Sequence, residues 1–339
     1  MRPALVEHLR CPVCRGELIL RESSRQGPHV MEGSLFCAGC LVGYPIADGV
    51  PNFVGAGAES SVEQTTAGFA TNWKRYSDAI LAQPALNDDL LRDWIAPLSP
   101  ELFQGRVVLD AGCGMGRWLA ASAPHAPRAL IGFDYSDVAR AAFANTRHLK
   151  NVHVVRADIF RLPFPSKFAS VCYSIGVVHH TPDPEGAFAS LLDAVADDGA
   201  LSTWVYGKEN NQWIERVVSP IRSQVTSRLP DPLLYGLSRA AAAALSLGAG
   251  LYARTFPTRT AFGYDAYLRH LRGYPRRYLE HIVYDHLVPQ LVEYLPKEEL
   301  QRWATSRRLP FVLTSRNDNS WRLLVARSEE ALRRWSVPA

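Results

Sequence analysis

The stretch LDAGCGMGRW, residues 109–118, follows the apolar pair Val107-Val108 and sets three glycines behind an aspartate. Glycine weakens strand and helix interiors, so three at alternate positions mark a turn whose backbone something must approach closely. A strand feeding such a turn and then a helix opens a parallel α/β sheet, and ligands of these sheets lie at the carboxyl edge of the strands. The chain keeps that rhythm as far as Tyr206. Apolar strands are predicted at 106–111, 129–134, 152–158, 169–175 and 200–206, with helices at 116–123, 136–147 and 184–196 between them. The first four strands each run into a polar or glycine position.

Two ligand classes use a strand–glycine turn–helix: dinucleotides and S-adenosylmethionine. A dinucleotide turn needs a small residue five positions after its first glycine. From Gly112 that position is Arg117 and from Gly114 it is Leu119, both too large. The series Asp110, Gly112, Gly114, Gly116 resembles motif I of the class I S-adenosylmethionine-dependent methyltransferases, of the type-11 kind. Glycines let the backbone lie against the methionyl and ribose part of that cofactor. Asp134 ends the next strand 24 residues on, where an acid can take both ribose hydroxyls. The resemblance implies that Asp158, at the end of the third strand, meets the adenine amino group. Tyr135 and Ile159, one residue beyond each acid, are placed to sandwich the ring. Cys113, Ala157, Ser174 and Trp73 complete the expected cofactor shell. The segment SIGVVHHTPDPEGAF, 174–188, also resembles the family's segment after the fourth strand. The one departure is Ala169, where many relatives carry Asp, a position remote from the cofactor.

Cys11, Cys14, Cys37 and Cys40 form two C-x-x-C pairs enclosing 22 residues. Such knuckles can present four thiolates to zinc, and a segment of about 55 residues with little core needs a staple of that kind. Disulfides and an iron–sulfur cluster are the alternatives, and the cysteine usage points to a reducing cytoplasm. The segment resembles the small zinc-ribbon-like activators of tRNA methyltransferases. Cys172 reads as a packing residue.

Residues 208–295 are expected to be helices broken by prolines, capping an acceptor pocket with Trp213, Tyr235, Tyr252, Phe256, Phe262, Tyr264 and Tyr267. Within that span 232–253 holds 22 residues with one charge, Arg239. Its alanines, serines and glycines argue for a buried or substrate-lining helix pair rather than a stable membrane insertion. A helix at 297–307 and a hairpin turning at Asn317-Asp318-Asn319 close the chain.

Methyl transfer asks for alignment of a nucleophile and removal of its proton if it carries one. His180, His179 and Asp285 are the candidates. The histidines follow the fourth strand, and Asp285 precedes the helix at 297; structural readings of each stay open. The expected architecture is a Rossmann-like, mostly parallel sheet with a C-terminal antiparallel hairpin, made by 101–207 and 296–339. A zinc-ribbon-like domain (1–55), a helical linker (56–100) and the cap (208–295) complete it. The expected function is an enzymatic one, S-adenosylmethionine-dependent transfer to O or N of a small organic acceptor. A tRNA or rRNA methyltransferase is the alternative, and a non-catalytic zinc- and cofactor-binding module is the rival of another class. A net charge of +4 over 339 residues gives nucleic acid no support by itself. Nothing in the sequence sets an oligomeric state.

Overall fold

The computed structural model describes residues 1–55, 60–258, 264–289 and 291–337, so Phe262 lies outside the described residues. The parallel strands are β5 (Val107–Ala111), β6 (Ala129–Asp134), β7 (Val152–Arg156), β8 (Ala169–Ile175) and β9 (Val195–Tyr206). With β10 (Phe311–Arg316) and β11 (Ser320–Ala326) they form a seven-stranded sheet in the order β10-β11-β9-β8-β5-β6-β7. Only β11 and β10 run antiparallel to their neighbours, joined by a turn with Asn317 and Asp318 at positive φ. The strand order reverses at β5 and β8, the point where such sheets open a crevice for ligand.

The strands are apolar on both faces because both are covered. Val107, Leu109 and Ala111 point to one face, with Phe188 and Leu191 of α5 (Pro184–Ala194) and Trp303 of α10 (Lys297–Ser306). Val108 points to the other, with α2 (Pro84–Ile95), α3 (Arg117–Ser122), α4 (Ala139–Thr146) and α11 (Glu329–Trp335). Pro184 opens α5 behind Asp183, whose carboxylate accepts from the Gly186 amide at 2.9 Å. Strand β9 begins five residues before its predicted start. Its first half carries Asp197 and Asp198, satisfied by Lys167 at 2.9 Å and Arg334 at 3.5 Å, so an apolar pattern could not announce it.

The first 51 residues form a four-stranded antiparallel sheet: β1 (Leu18–Gln26), β2 (His29–Cys37), β3 (Val42–Ala47) and β4 (Val50–Pro51). It does not stand apart. Leu5, Leu9, Leu35 and Ile46 belong to the same buried cluster as Val155 of the large sheet and Phe164 of the segment that follows β7. The amide of Arg10 bonds to Pro163 O at 2.8 Å, and that of Phe53 to Arg156 O at 2.8 Å. Arg15 donates to the carbonyls of Leu162 and Phe164 at 3.1 and 3.0 Å.

The long insertion leaves and re-enters the sheet through one neck. Gly207 pairs with Leu295, and the amides of Lys208 and Leu295 bond to Leu295 O and Tyr206 O at 3.1 and 3.0 Å. Beyond it stand α6 (Ser219–Gln224), α7 (Asp231–Thr255), α8 (Asp265–Leu271) and α9 (Arg276–Leu287). Helix α9 packs against α7 and against α1 (Ser60–Leu81). Prolines 230 and 275 stand at helix starts, as their fixed φ requires. The expected helix pair at 232–253 is instead one helix of 25 residues, α7, buried on one side only. Alanine is the best helix former, and the run Ala240–Ala244 carries the helix through where a break was expected. Among the described residues no helix is long and apolar enough to cross a membrane.

The shared core makes the small sheet a cooperative part of the whole. Leu9→Ala, at a fully buried position, is expected to cost about 2–5 kcal/mol in urea unfolding. Calorimetry should show a single transition shifted down, whereas a separate early transition would mean that the two sheets unfold independently.

Candidate active site

A cavity of about 740 Å³ opens at the carboxyl edge of the parallel strands, between the glycine turn and the insertion. That is within the range of about 300–1,000 Å³ for ligand pockets. Its floor is the turn after β5. Gly112 (φ +76°) has no room for a Cβ, which would sit 2.2 Å from a methyl of Val177. Gly116 (φ +85°) starts α3 in the left-handed region and lies against Ala142 of α4, where a Cβ would come within 3.2 Å of the backbone. These two glycines therefore serve packing and a helix start.

Of the residues expected around a cofactor, Gly112, Cys113, Gly114, Asp134, Tyr135, Ala157, Asp158, Ile159 and Trp73 line the cavity. Asp110, Gly116 and Ser174 do not. Asp110 is fully buried beneath the turn, and neither of its carboxylate oxygens has a hydrogen-bond partner. Burial, and then the nearby charge of Asp134, push it well above the usual carboxylate range. Ser174 is spent on the Ala111 carbonyl at 3.3 Å. Asp134 is already held in place. One oxygen accepts from the Gly114 amide at 3.0 Å, and the other from the amide and hydroxyl of Ser136 at 2.9 and 2.8 Å. Burial raises its pKa, and these bonds hold the rise back. Asp158 accepts from the Phe160 amide at 2.9 Å.

The candidate proton-handling groups separate sharply. His179 is fully buried, does not line the cavity, and has no partner on either ring nitrogen. Its ring packs between His180 and Tyr206, each with its centroid 4.3 Å away. His180 does line the cavity. Its Nδ1 lies 2.8 Å from Leu291 O and must donate to it, which leaves Nε2 a bare acceptor. Burial lowers its pKa to about 4.

Asp285 is on the last turn of α9, not in a loop before the helix at 297, and it faces the cavity. Asn72 of α1 donates from its amide nitrogen to Asp285 Oδ1 at 2.5 Å and to His281 Nδ1 at 2.8 Å. With Nδ1 accepting, His281 carries its proton on Nε2, which lies 3.3 Å from Asp285 Oδ2. Burial raises Asp285 to about 7, against the Asn72 bond and the charge of Arg117, while burial lowers His281 to about 3. Arg117 itself lies over the Trp118 ring, 3.8 Å from its centroid, and donates to Asn87 at 3.0 Å.

Sequence reasoning missed Asn72, His281 and Arg117, although two of them left a signal. His281 and Asp285 are four residues apart, one helical turn, and Asn72 shares the helix face of Phe69, Trp73 and Tyr76. Of the aromatic residues expected over the pocket, Trp213, Tyr264 and Tyr267 line it, while Tyr235, Tyr252 and Phe256 do not.

At the other end of the chain the four cysteine sulfurs lie within 4.8 Å of one another. Cys11 faces Cys40, and Cys14 faces Cys37, both at 3.4 Å, far beyond a disulfide bond. The crossed pairing brings both knuckles to one point.

Residues 85–307 match the family model described as a methyltransferase domain. The chain belongs to that family. Residues 2–49 of this family member match the Trm112p-like protein family. Among similar proteins is a tRNA U34 carboxymethyltransferase of Psychromonas ingrahamii, 31% identical over 129 residues, 36% of this chain and 38% of that one. An uncharacterized chloroplastic methyltransferase of Arabidopsis thaliana is 28% identical over 134 residues, 36% of this chain and 37% of that one. The chain thus spans well under half the length of the curated relatives it matches. A solved complex of the Haloferax volcanii Trm112 methyltransferase activator with a methyltransferase is 21% identical, covering 46% of this chain and 67% of that one, with a TM-score of 0.35.

The Asn72 bond favours the charged form of Asp285. Removing it in Asn72→Ala should move the Asp285 titration, followed by carboxyl carbon NMR, upward from about 7. A titration that stays put would show that Asn72 does not hold this carboxylate.

Proposed function

We propose that this chain is an S-adenosylmethionine-dependent methyltransferase that acts on the O or N of a compact organic group admitted under the helical cap. The observation that carries the reading is a single cavity bounded by the glycine turn and Asp134 on one side and by Asp285 and His180 on the other. The residues suit the cofactor. Asp110 is a buried carboxyl beneath the turn that a bound cation would help to ionise, and Asp134 is pre-oriented by three bonds while retaining lone pairs for hydroxyl groups. Asp134, Tyr135, Asp158 and Ile159 would hold the nucleoside end, and Gly112, Cys113 and Gly114 the amino-acid end. Bound there, S-adenosylmethionine supplies an electrophilic methyl group whose departure leaves a neutral thioether.

Asp285 is the group we assign to take the acceptor's proton. A carboxylate near pKa 7 is half ionised at neutral pH and accepts a proton far better than an ordinary aspartate. His281 and Asn72 position it. His180, with only Nε2 free and a pKa near 4, is neutral and suits accepting a hydrogen bond that orients the acceptor. His179 is a packing residue buried behind the cavity lining. We also propose that Cys11, Cys14, Cys37 and Cys40 hold a structural zinc ion, because four converging thiolates match its preferred ligand set.

A second reading, a base of tRNA as the acceptor, is favoured by the relatives named for tRNA U34. The comparisons support it more than they support a free small molecule, whereas the capped, aromatic-lined cavity favours the small acceptor. Transfer of labelled methyl to bulk tRNA, set against transfer to a fractionated small-molecule extract, separates the two.

Asp134→Ala is expected to weaken S-adenosylmethionine binding at least about tenfold in calorimetry. An unchanged affinity in the folded variant would sink the cofactor assignment. With the true acceptor, the rate should rise with pH through about 7 and level off as Asp285 ionises. Asp285→Asn should remove that inflection and lower turnover by roughly 10²–10⁴. A pH-independent, few-fold loss would leave alignment alone to explain the rate. Metal analysis should find one zinc ion per chain, lost in Cys37→Ser; a metal-free purified protein would overturn the zinc proposal.

A further inference from the structure

Helix α7 is apolar on both sides. Leu234, Ala242, Ala249 and Ala253 are buried on its inner face. On its outer face Leu233, Leu237, Leu247 and Leu251 are exposed by 61, 43, 70 and 63%, with Ala240 and Ala244 between them. These six positions recur at steps of three and four, so they form one continuous stripe along the helix. The preceding segment repeats the pattern, with Trp213, Val217, Ile221 and Val225 each at least half exposed and four residues apart. A soluble surface rarely leaves this much aliphatic area bare without a use for it.

The most exposed charges along these two segments are positive, with Glu215 and Asp231 part-exposed among them. Between Trp213 and Phe256 the exposed charged side chains are Arg216, Arg228, Arg239 and Arg254. The acids there are only part-exposed, and Asp231 is engaged by Arg75 and by the Tyr284 hydroxyl. Arg239 approaches Glu280 at 3.7 Å while remaining half exposed. A second copy packed on this face about a two-fold axis would set arginines against arginines. An anionic lipid surface offers the opposite: phosphates for the arginines and hydrocarbon for the leucines and Trp213. Because α7 is not apolar enough to span a bilayer, it fits lying in the interface.

We propose that the outer faces of α7 and of residues 213–225 dock this protein on the surface of an anionic lipid membrane. The 213–225 stripe adjoins the cavity, since Trp213 is exposed and also lines it, and Ile214 and Val218 line it from the turns whose neighbours face outward. Docking is independent of which acceptor is methylated.

The test is sedimentation of the full chain with vesicles of phosphatidylcholine alone and of phosphatidylcholine mixed with phosphatidylglycerol. Binding to the mixed vesicles is expected, weakened by salt and weak on the neutral ones. The triple variant L233Q/L247Q/L251Q, altered only at exposed positions, should keep its thermal transition and cofactor binding but lose vesicle affinity by about tenfold or more. R216Q/R254Q should lose a similar amount on anionic vesicles only. Absence of binding by the folded wild type, or equal binding by the leucine variant, overturns the proposal. So does a dimer by light scattering that the leucine substitutions dissolve, which would assign the face to a second copy.

Discussion

The backbone turn between β5 and α3 is the constraint on which the rest of this structure depends. Gly112 passes so close to Val177 that no side chain fits there, Gly116 lies tight against Ala142 and Thr146, and both are at positive φ. The turn therefore binds β5 to the segment after β8 on one side and to α4 on the other. β5 and β8 are the strands whose ends part at the reversal of strand order. The crevice exists because the turn is thin. Beneath it Asp110 is fully buried, and burial pushes its carboxyl well above the usual range, because a charged group is costly in the core.

The second dependence is the neck at Gly207 and Leu295. An insertion of this length could hang loosely from a strand end. Instead both its ends are pinned to one another and to the sheet. That fixes α9 over the crevice and lets α1, which comes from before the sheet, bond to α9 through Asn72. The polar cluster of Asn72, His281 and Asp285 is thus assembled from two helices far apart in the chain. Its low-dielectric surroundings bring the Asp285 titration close to neutrality, a property useful for proton transfer.

The small cysteine-bearing sheet shows how a motif can mislead about independence. Two C-x-x-C pairs suggest a self-contained unit, yet Leu5, Leu9 and Leu35 share one buried cluster with the strands of the large sheet. A segment this short has too little apolar area to stabilise itself. It finds the remainder on a sheet face that would otherwise be exposed beside β7.

The sequence by itself determined the parallel sheet, its terminal hairpin, the glycine turn, and the positions of Asp134, Asp158 and the four cysteines. These are legible because each depends on local chemistry: apolar runs, positive-φ residues at tight turns, and ligand spacing along one chain. It also placed residues that line one side of the cavity, including Tyr135 and Ile159, because strand ends recur at a fixed edge. Only the tertiary structure decided which candidate groups face the cavity. His179 and His180 are adjacent in sequence, yet packing against Tyr206 and Trp204 removes the first while Leu291 orients the second. Asp285 became more than a turn acid only when α1 brought Asn72 against it. The single long α7, bare along one side, was likewise hidden, since composition reports how apolar a helix is but not which of its faces finds a partner.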